Sequence, residues 1–244
     1  MIEVRHITKT YGKKQNLFVA LDDVSFTIPD GSSVAIIGKS GSGKSTLMHA
    51  MSGLDRPQQG EIIVNGQDIL KLKAKQIDTF RASQMSFIFQ SFFVQANESC
   101  FDNVSLPLEI ANLSRSTRKN KIIKALEAVE LGDKIKSKAK DLSGGQKQRL
   151  AIARAIVNDP KILFADEPTG NLDSTTGDTI EKLLFDYNKK NKTTLIVVTH
   201  DPELASKCDI QINIKDGKIE SLDHHKKAVA TKPRKIPLSG RRVQ

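Results

Sequence analysis

Residues 33–51 read SVAIIGKSGSGKSTLMHAM, and this stretch decides the fold. Its short apolar run, Ser33–Ile37, reads as a buried strand. Gly38 to Ser45 follows at once and matches G-x-x-x-x-G-K-[ST]; Lys44–Met51 then carries a helical pattern closed by Gly53. The glycines let the backbone wrap closely enough for successive N–H groups to face phosphate oxygens. The helix N-terminus adds unpaired donors and partial positive charge. Lys44 can reach the β- and γ-phosphates, and Ser45 can place its hydroxyl on Mg²⁺. The candidate phosphate contacts are Gly38, Lys39, Ser40, Gly41, Ser42, Gly43, Lys44, Ser45 and Thr46.

A second element lies downstream at Ile162–Glu167, ILFADE. Here an apolar strand ends in two carboxylates. Open parallel sheets gather ligands at the C-terminal edges of their strands, which is where Asp166 stands. Asp166 is the expected Mg²⁺ contact, and Glu167 the group that polarises an attacking water.

Outward from these two motifs the chain alternates short β-branched runs with helical patterns, as an α/β sheet protein does. Strands are expected at Ile2–Ile7, Val24–Ile28, Ser33–Ile37, Glu61–Val64, Ser86–Phe89, Lys161–Ala165, Thr194–Val198 and Ile210–Ile214. Asp216-Gly217 then signals a hairpin into Lys218–Leu222. The first and fourth of these segments are expected to pair antiparallel, the later ones parallel. Between Ser91 and Asp159 no convincing strand occurs. Residues 115–131 form an amphipathic helix there, with Ile122, Leu126 and Val129 on one face. The organisation expected is a nucleotide-binding domain over 1–222, with a helical subdomain at about 91–158, and a basic, flexible tail over 223–244.

Composition excludes several classes. No apolar run approaches the ~18 residues of a membrane span, and the N-terminus lacks a signal-peptide block. Cys100 and Cys208 stand at no metal-like spacing and fit reduced thiols. Trp is absent and aromatics reach only 5%, so stacking on single-stranded nucleic acid has little material. The net charge of +10 invites a nucleic-acid or membrane partner, but its distribution argues otherwise. Residues 224–244 hold four Lys, three Arg and no acid, whereas residues 1–223 have 31 basic against 28 acidic side chains.

Leu142-Ser143-Gly144-Gly145-Gln146, continuing Lys147-Gln148-Arg149, matches the signature motif of ATP-binding cassette (ABC) ATPases. Tyr11, Gln90, the run Asp166 to Asp173 (DEPTGNLD) and His200 complete that family's set in order, so the chain resembles the family over residues 1 to about 222. The run ADEPTGNLD looks most like the ATPase subunits of lipoprotein-releasing, macrolide-export and related peptide-export systems. The resemblance implies a P-loop NTPase core with a mostly parallel sheet, an N-terminal antiparallel β subdomain and an inserted helical subdomain. It also implies ATP hydrolysis with ATP and Mg²⁺ as ligands. Tyr11 resembles the aromatic that stacks on adenine, although a tyrosine packed on a strand end would look the same. Gln90 would touch Mg²⁺ or the water, and His200 would sense the γ-phosphate. Asp173 would bridge the two subunits, or cap the helix that follows it.

In the resembling family, Ser143, Gly144, Gly145 and Gln146 of one subunit cover the nucleotide on the partner's P-loop. A head-to-tail homodimer around two ATPs is therefore implied, together with separate transmembrane permease subunits and a peripheral place on the cytoplasmic face of the membrane. The alternative is a soluble ABC ATPase acting on DNA or ribosomes, for which the basic tail is the only support; nucleic acid is the less expected partner. Contact of that tail with anionic lipid is a further expectation. The sequence departs from the resembling pattern after Gln90, where SFFVQANESCFDNV brings polar Gln95–Ser99, and Asp102 in place of a glutamate.

Overall fold

The computed structural model describes residues 1–13 and 16–225. An antiparallel sheet comes first, with β1 (Ile2–Tyr11), β2 (Phe18–Ile28), β4 (Gln59–Val64) and β5 (Gln67–Asp68) in the order β2-β1-β4-β5. Ile2 lies opposite both Ile28 and Val64, so β1 is the central strand of the expected antiparallel pairing. Both β1 and β2 are longer than the apolar pattern suggests. The register shifts at three places between Val4 and Thr10, and His6 adopts φ 49°. Such bulges interrupt the period-2 alternation on which sequence reading depends.

The second sheet holds β3 (Ser33–Ile37), β6 (Met85–Ile88), β7 (Ile162–Asp166), β8 (Thr194–Val198), β9 (Ile210–Lys215) and β10 (Lys218–His224). Its order is β10-β9-β3-β8-β7-β6, parallel throughout except for the β9–β10 hairpin. Asp216 (φ 49°) and Gly217 (φ 77°) make that turn, as their sequence predicts. β10 runs on to His224, so Asp223 and His224 belong to a strand rather than to the expected tail. The remainder of that tail, from 226 on, lies outside the described residues.

Alternating side chains of the central strands feed two cores. Phe164, Ile196 and Val198 face one core, shared with Ile2, Ile7, Ile62 and the helix α1 (Lys44–Met51). Leu163, Ala165, Leu195 and Val197 face the other, against α3 (Cys100–Ile110), α4 (Arg115–Ala128), α5 (Gly144–Ile156) and α6 (Ser174–Asn191). A sheet covered on both faces explains why its strands read as continuous apolar runs. Phe164 is wholly buried and stacks on Phe87 at 5.2 Å between ring centroids. On α4, Ile122 and Leu126 are sealed in the second core together with Val129, which caps the helix; α4 thus ends three residues before the expected limit. One helix between β5 and β6, at Ala74–Gln84 (α2), has no counterpart in the sequence reading. Ile77 is its only buried residue, so it carries no apolar stripe to detect.

Candidate active site

The sheet order decides the site. β3, β8, β7 and β6 are adjacent and parallel, so their C-terminal ends share one edge. Gly38 follows β3, His200 lies two residues beyond β8, Asp166 ends β7 with Glu167 next, and Gln90 lies two residues beyond β6. At about 4.8 Å between strands, four groups far apart in sequence fall within roughly 15 Å.

The loop from Gly38 to Gly43 turns β3 into α1. Gly43 adopts φ 108°, and a Cβ there would lie 2.5 Å from the Ala20 carbonyl oxygen, so only glycine fits. Gly43 also occupies the N-cap position and supplies no side-chain hydrogen bond. The first turn of α1 therefore keeps its N–H groups free for an anion. Lys44 Nζ donates to the carbonyls of Gly38 (2.8 Å) and Lys39 (3.0 Å), which holds its charge over the loop. Lys39, Ser40 and Ser45 are exposed, while the Ser42 hydroxyl is buried without a hydrogen-bond partner.

Burial first, and then the neighbouring Glu167 carboxylate, push the Asp166 carboxyl above the ordinary range; His49 and Lys44 act in the opposite sense. Two adjoining carboxylates of this kind favour a bound cation. Among the described residues, no three His, Cys, Asp or Glu side chains cluster into a ready-made metal cage. One carboxylate and one hydroxyl beside a phosphate loop instead suit Mg²⁺, which takes few protein ligands and completes its shell with phosphate oxygens and water. Nothing in the motifs points to His49; its i+4 spacing from Ser45 on α1 is the one signal the sequence offers.

Glu167 holds a left-handed backbone (φ 46°), uncommon for a non-glycine residue. Its N–H donates to the Val198 carbonyl (2.9 Å) and its carbonyl accepts from Gly170 N–H (3.1 Å), so the strain is held from both sides. Glu167 Oε1 lies 2.8 Å from His200 Nδ1, bringing together two candidates 33 residues apart. The Glu167 hydrogen bond is the main cause that raises the imidazole above its ordinary range. Gln90 meets the same loop. Its Nε2 donates to Asn171 Oδ1 (3.3 Å) and its carbonyl accepts from Asn171 Nδ2 (3.0 Å).

α5 and α6 begin differently from α1. Ser143 Oγ accepts from Gln146 N–H (3.3 Å), while Gln146 Oε1 accepts from Ser143 N–H (3.0 Å), a reciprocal cap. This leaves the N–H groups of Gly144 and Gly145 as the free donors of the signature. Asp173 caps α6 through Thr176 N–H (3.0 Å) and Thr176 Oγ1 (2.7 Å), and those bonds hold its carboxyl below the ordinary range. Of its two expected roles, capping is the one made within this chain. The two helix starts touch, because a Cβ on Gly145 would lie 2.4 Å from Thr176 Cγ2. Gln148, wholly buried, donates to the Pro168 carbonyl at 2.6 Å and ties α5 to the Glu167 loop. Among the described residues, no hydrogen bond joins the signature to the phosphate loop.

Tyr11 ends β1 beside α1. Its hydroxyl donates to Asp55 Oδ2 (2.6 Å), and Thr46 stands near enough to act on its acidity. Tyr11 as a whole is 40% exposed, which leaves surface open to a ligand.

A sequence profile described as ABC transporter matches residues 21–170. The chain is 41% identical over 219 residues to the lipoprotein-releasing system ATP-binding protein LolD of Syntrophus aciditrophicus, spanning 90% of this chain and 98% of that protein. It is also 41% identical over 230 residues to the macrolide export ATP-binding/permease protein MacB of Hyphomonas neptunium, covering 94% of this chain but 36% of that longer protein. Among solved structures, a dimeric post-hydrolysis state of the ATP-binding cassette MJ0796 bound to ADP and Pi superposes with a TM-score of 0.83 at 36% identity. That match covers 92% of this chain and 98% of the other.

Proposed function

This chain belongs to the ABC transporter family, and from that premise we propose that it hydrolyses ATP to drive separate membrane-spanning permease subunits, in a system of the lipoprotein-releasing or macrolide-export type. The observation that carries this reading is the edge where β3, β8, β7 and β6 deliver the phosphate loop, His200, Asp166–Glu167 and Gln90 side by side. Among the described residues no helix is long and apolar enough to cross a membrane. The DNA- or ribosome-acting alternative finds no support among these relatives, which are transporter subunits and a cassette.

The P-loop amides and Lys44 bind and orient the triphosphate, and Tyr11 stacks on the base. Ser45 and Asp166, with Gln90 beside them, would hold Mg²⁺, which when bound neutralises charge developing on the phosphates. Glu167 orients a water and takes its proton, and His200 fixes the Glu167 carboxylate through Nδ1. The free N–H groups of Gly144 and Gly145 face the triphosphate of a partner subunit, since one chain offers two anion cradles for each nucleotide. Hydrolysis releases that head-to-tail dimer, and the helical segment from Gln90 to Val157 passes the motion to the permease. The chain would lie on the cytoplasmic face of the membrane, where the +7 segment 224–244 meets anionic lipid.

A mixing experiment tests the shared site. Lys44→Ala and Ser143→Arg chains are each expected to be inactive, yet a 1:1 mixture contains dimers in which one site has an intact loop and an intact signature. Turnover should recover to about a quarter of the parental rate, because half the dimers are mixed and one of their two sites is whole. No recovery would place both elements in one chain's own site.

A further inference from the structure

Lys9 lies two residues before Tyr11 and is 6% exposed. Its ammonium donates to Asp55 Oδ1 (2.5 Å) and to the Arg56 carbonyl (2.8 Å), and it stands 4.8 Å from the centroid of the Tyr11 ring. Asp55 takes Lys9 on one oxygen and the Tyr11 hydroxyl on the other, so the three side chains close a loop. Burial pushes the Asp55 carboxyl up, but the Lys9 and Tyr11 donors more than offset this and leave it below the ordinary range. It therefore stays ionised at neutral pH, as an acceptor for both. Burial and the Asp55 bond together raise the Tyr11 phenol, which stays a donor.

We infer that Lys9 and Asp55 are positioning residues that lock the Tyr11 ring for a nucleobase and thereby set the preference for a base-bearing nucleotide over bare phosphate; this rests on the stacking role proposed for Tyr11. Asp55 N–H and Leu54 N–H both donate to the His49 carbonyl, so Asp55 is fastened to the end of α1. The opposite end of that helix carries Lys44, Ser45 and Thr46. The tether thus fixes the ring relative to the phosphate loop as well as to its own strand. Gln58 reinforces it, because its amide exchanges two 2.9 Å bonds with the Thr10 backbone. The Lys9 ammonium covers one face of the ring by a cation–π contact and leaves the other for the base. An exposed tyrosine without this anchor would have to be immobilised by the ligand, which weakens binding by about 3- to 10-fold.

Titration calorimetry with ADP and with inorganic pyrophosphate, both with Mg²⁺, tests the inference. Tyr11→Ala should weaken ADP by about 10- to 100-fold, as loss of base stacking does. Tyr11→Phe, which keeps the ring and removes the hydroxyl, and Lys9→Met should each weaken ADP by about 3- to 10-fold and leave pyrophosphate within about twofold. Added to Tyr11→Ala, Lys9→Met should cost nothing more, since the coupled partner is already gone. If both tether variants bind ADP as the parent does while Tyr11→Ala loses it, the inference is overturned and stacking stands. If Tyr11→Ala itself retains ADP, stacking fails and the inference with it. Equal losses of ADP and pyrophosphate, or a further loss in the double variant, would make Lys9 merely structural and overturn the inference. Tyr11→Phe carries the test should Lys9→Met not fold.

Discussion

Replacing Glu167 with glutamine isolates the charge of one carboxylate. The left-handed backbone at φ 46° persists, because it is held by bonds of the main chain to Val198 and Gly170 that glutamine also makes. The amide oxygen can still accept from His200 Nδ1, which lies 2.8 Å from Oε1. What disappears is a group able to take a proton from water. A positioned general base contributes about 10²–10⁴ in rate, so turnover should fall by that factor. At 1.36 kcal/mol per tenfold, the barrier rises by about 2.7–5.4 kcal/mol. Nucleotide affinity should hold or improve, since Glu167 is one of the charges that raise Asp166, and its removal makes that carboxylate easier to ionise. Phosphate release at saturating Mg-ATP gives the rate, and calorimetry gives the affinity. Light scattering with ATP should show a dimer that persists, because the step that opens it has slowed. Turnover within about fivefold of the parent, with affinity intact, would refute Glu167 as the base. Loss of ATP binding would refute the claim that the substitution leaves the site's shape unchanged.

Three further outcomes are expected. Lys44→Ala removes a charged donor and should weaken ATP by about 10- to 150-fold, the equivalent of 1.5–3 kcal/mol, read by calorimetry. Gly145→Ala forces a Cβ to within 2.4 Å of Thr176 Cγ2 and should cost about 1–3 kcal/mol in chemical denaturation. Adding Thr176→Ser removes that methyl, keeps the bond to Asp173 and should restore most of the loss. His200 is raised by Glu167, so NMR titration should find its midpoint above the ordinary histidine range and lower it in Glu167→Gln. A raised imidazole stabilises the fold fully below its unfolded pKa and loses that contribution as pH rises through the folded one. Because His200 is exposed, the effect on global stability should be small.

Much of the site was legible because its chemistry is local. A phosphate loop needs its glycines, lysine and serine within eight residues, and the acidic strand end and signature are as compact. The strands of the parallel sheet were legible too, since burial on both faces makes them unbroken apolar runs. The bulges of β1 break its alternation and polar α2 carries no apolar stripe, so neither has the periodicity that would reveal its full extent. Lys9 and Asp55 left no signal at all. They sit 46 residues apart, and each reads alone as a solvated charge.

By itself, then, the sequence determined the family, the phosphate-loop motif and the candidate carboxylates Asp166 and Glu167. Tertiary structure alone decided that β3, β8, β7 and β6 lie side by side, that Glu167 meets His200, and that Gln90 meets Asn171 across 81 residues. It also decided how Asp173 and Ser143 spend their side chains, on caps within their own chain. The reason is physical. Local patterns report which face of an element is buried, whereas neighbourhood between strand ends depends on which strands pair, and that is fixed only when the whole sheet is assembled.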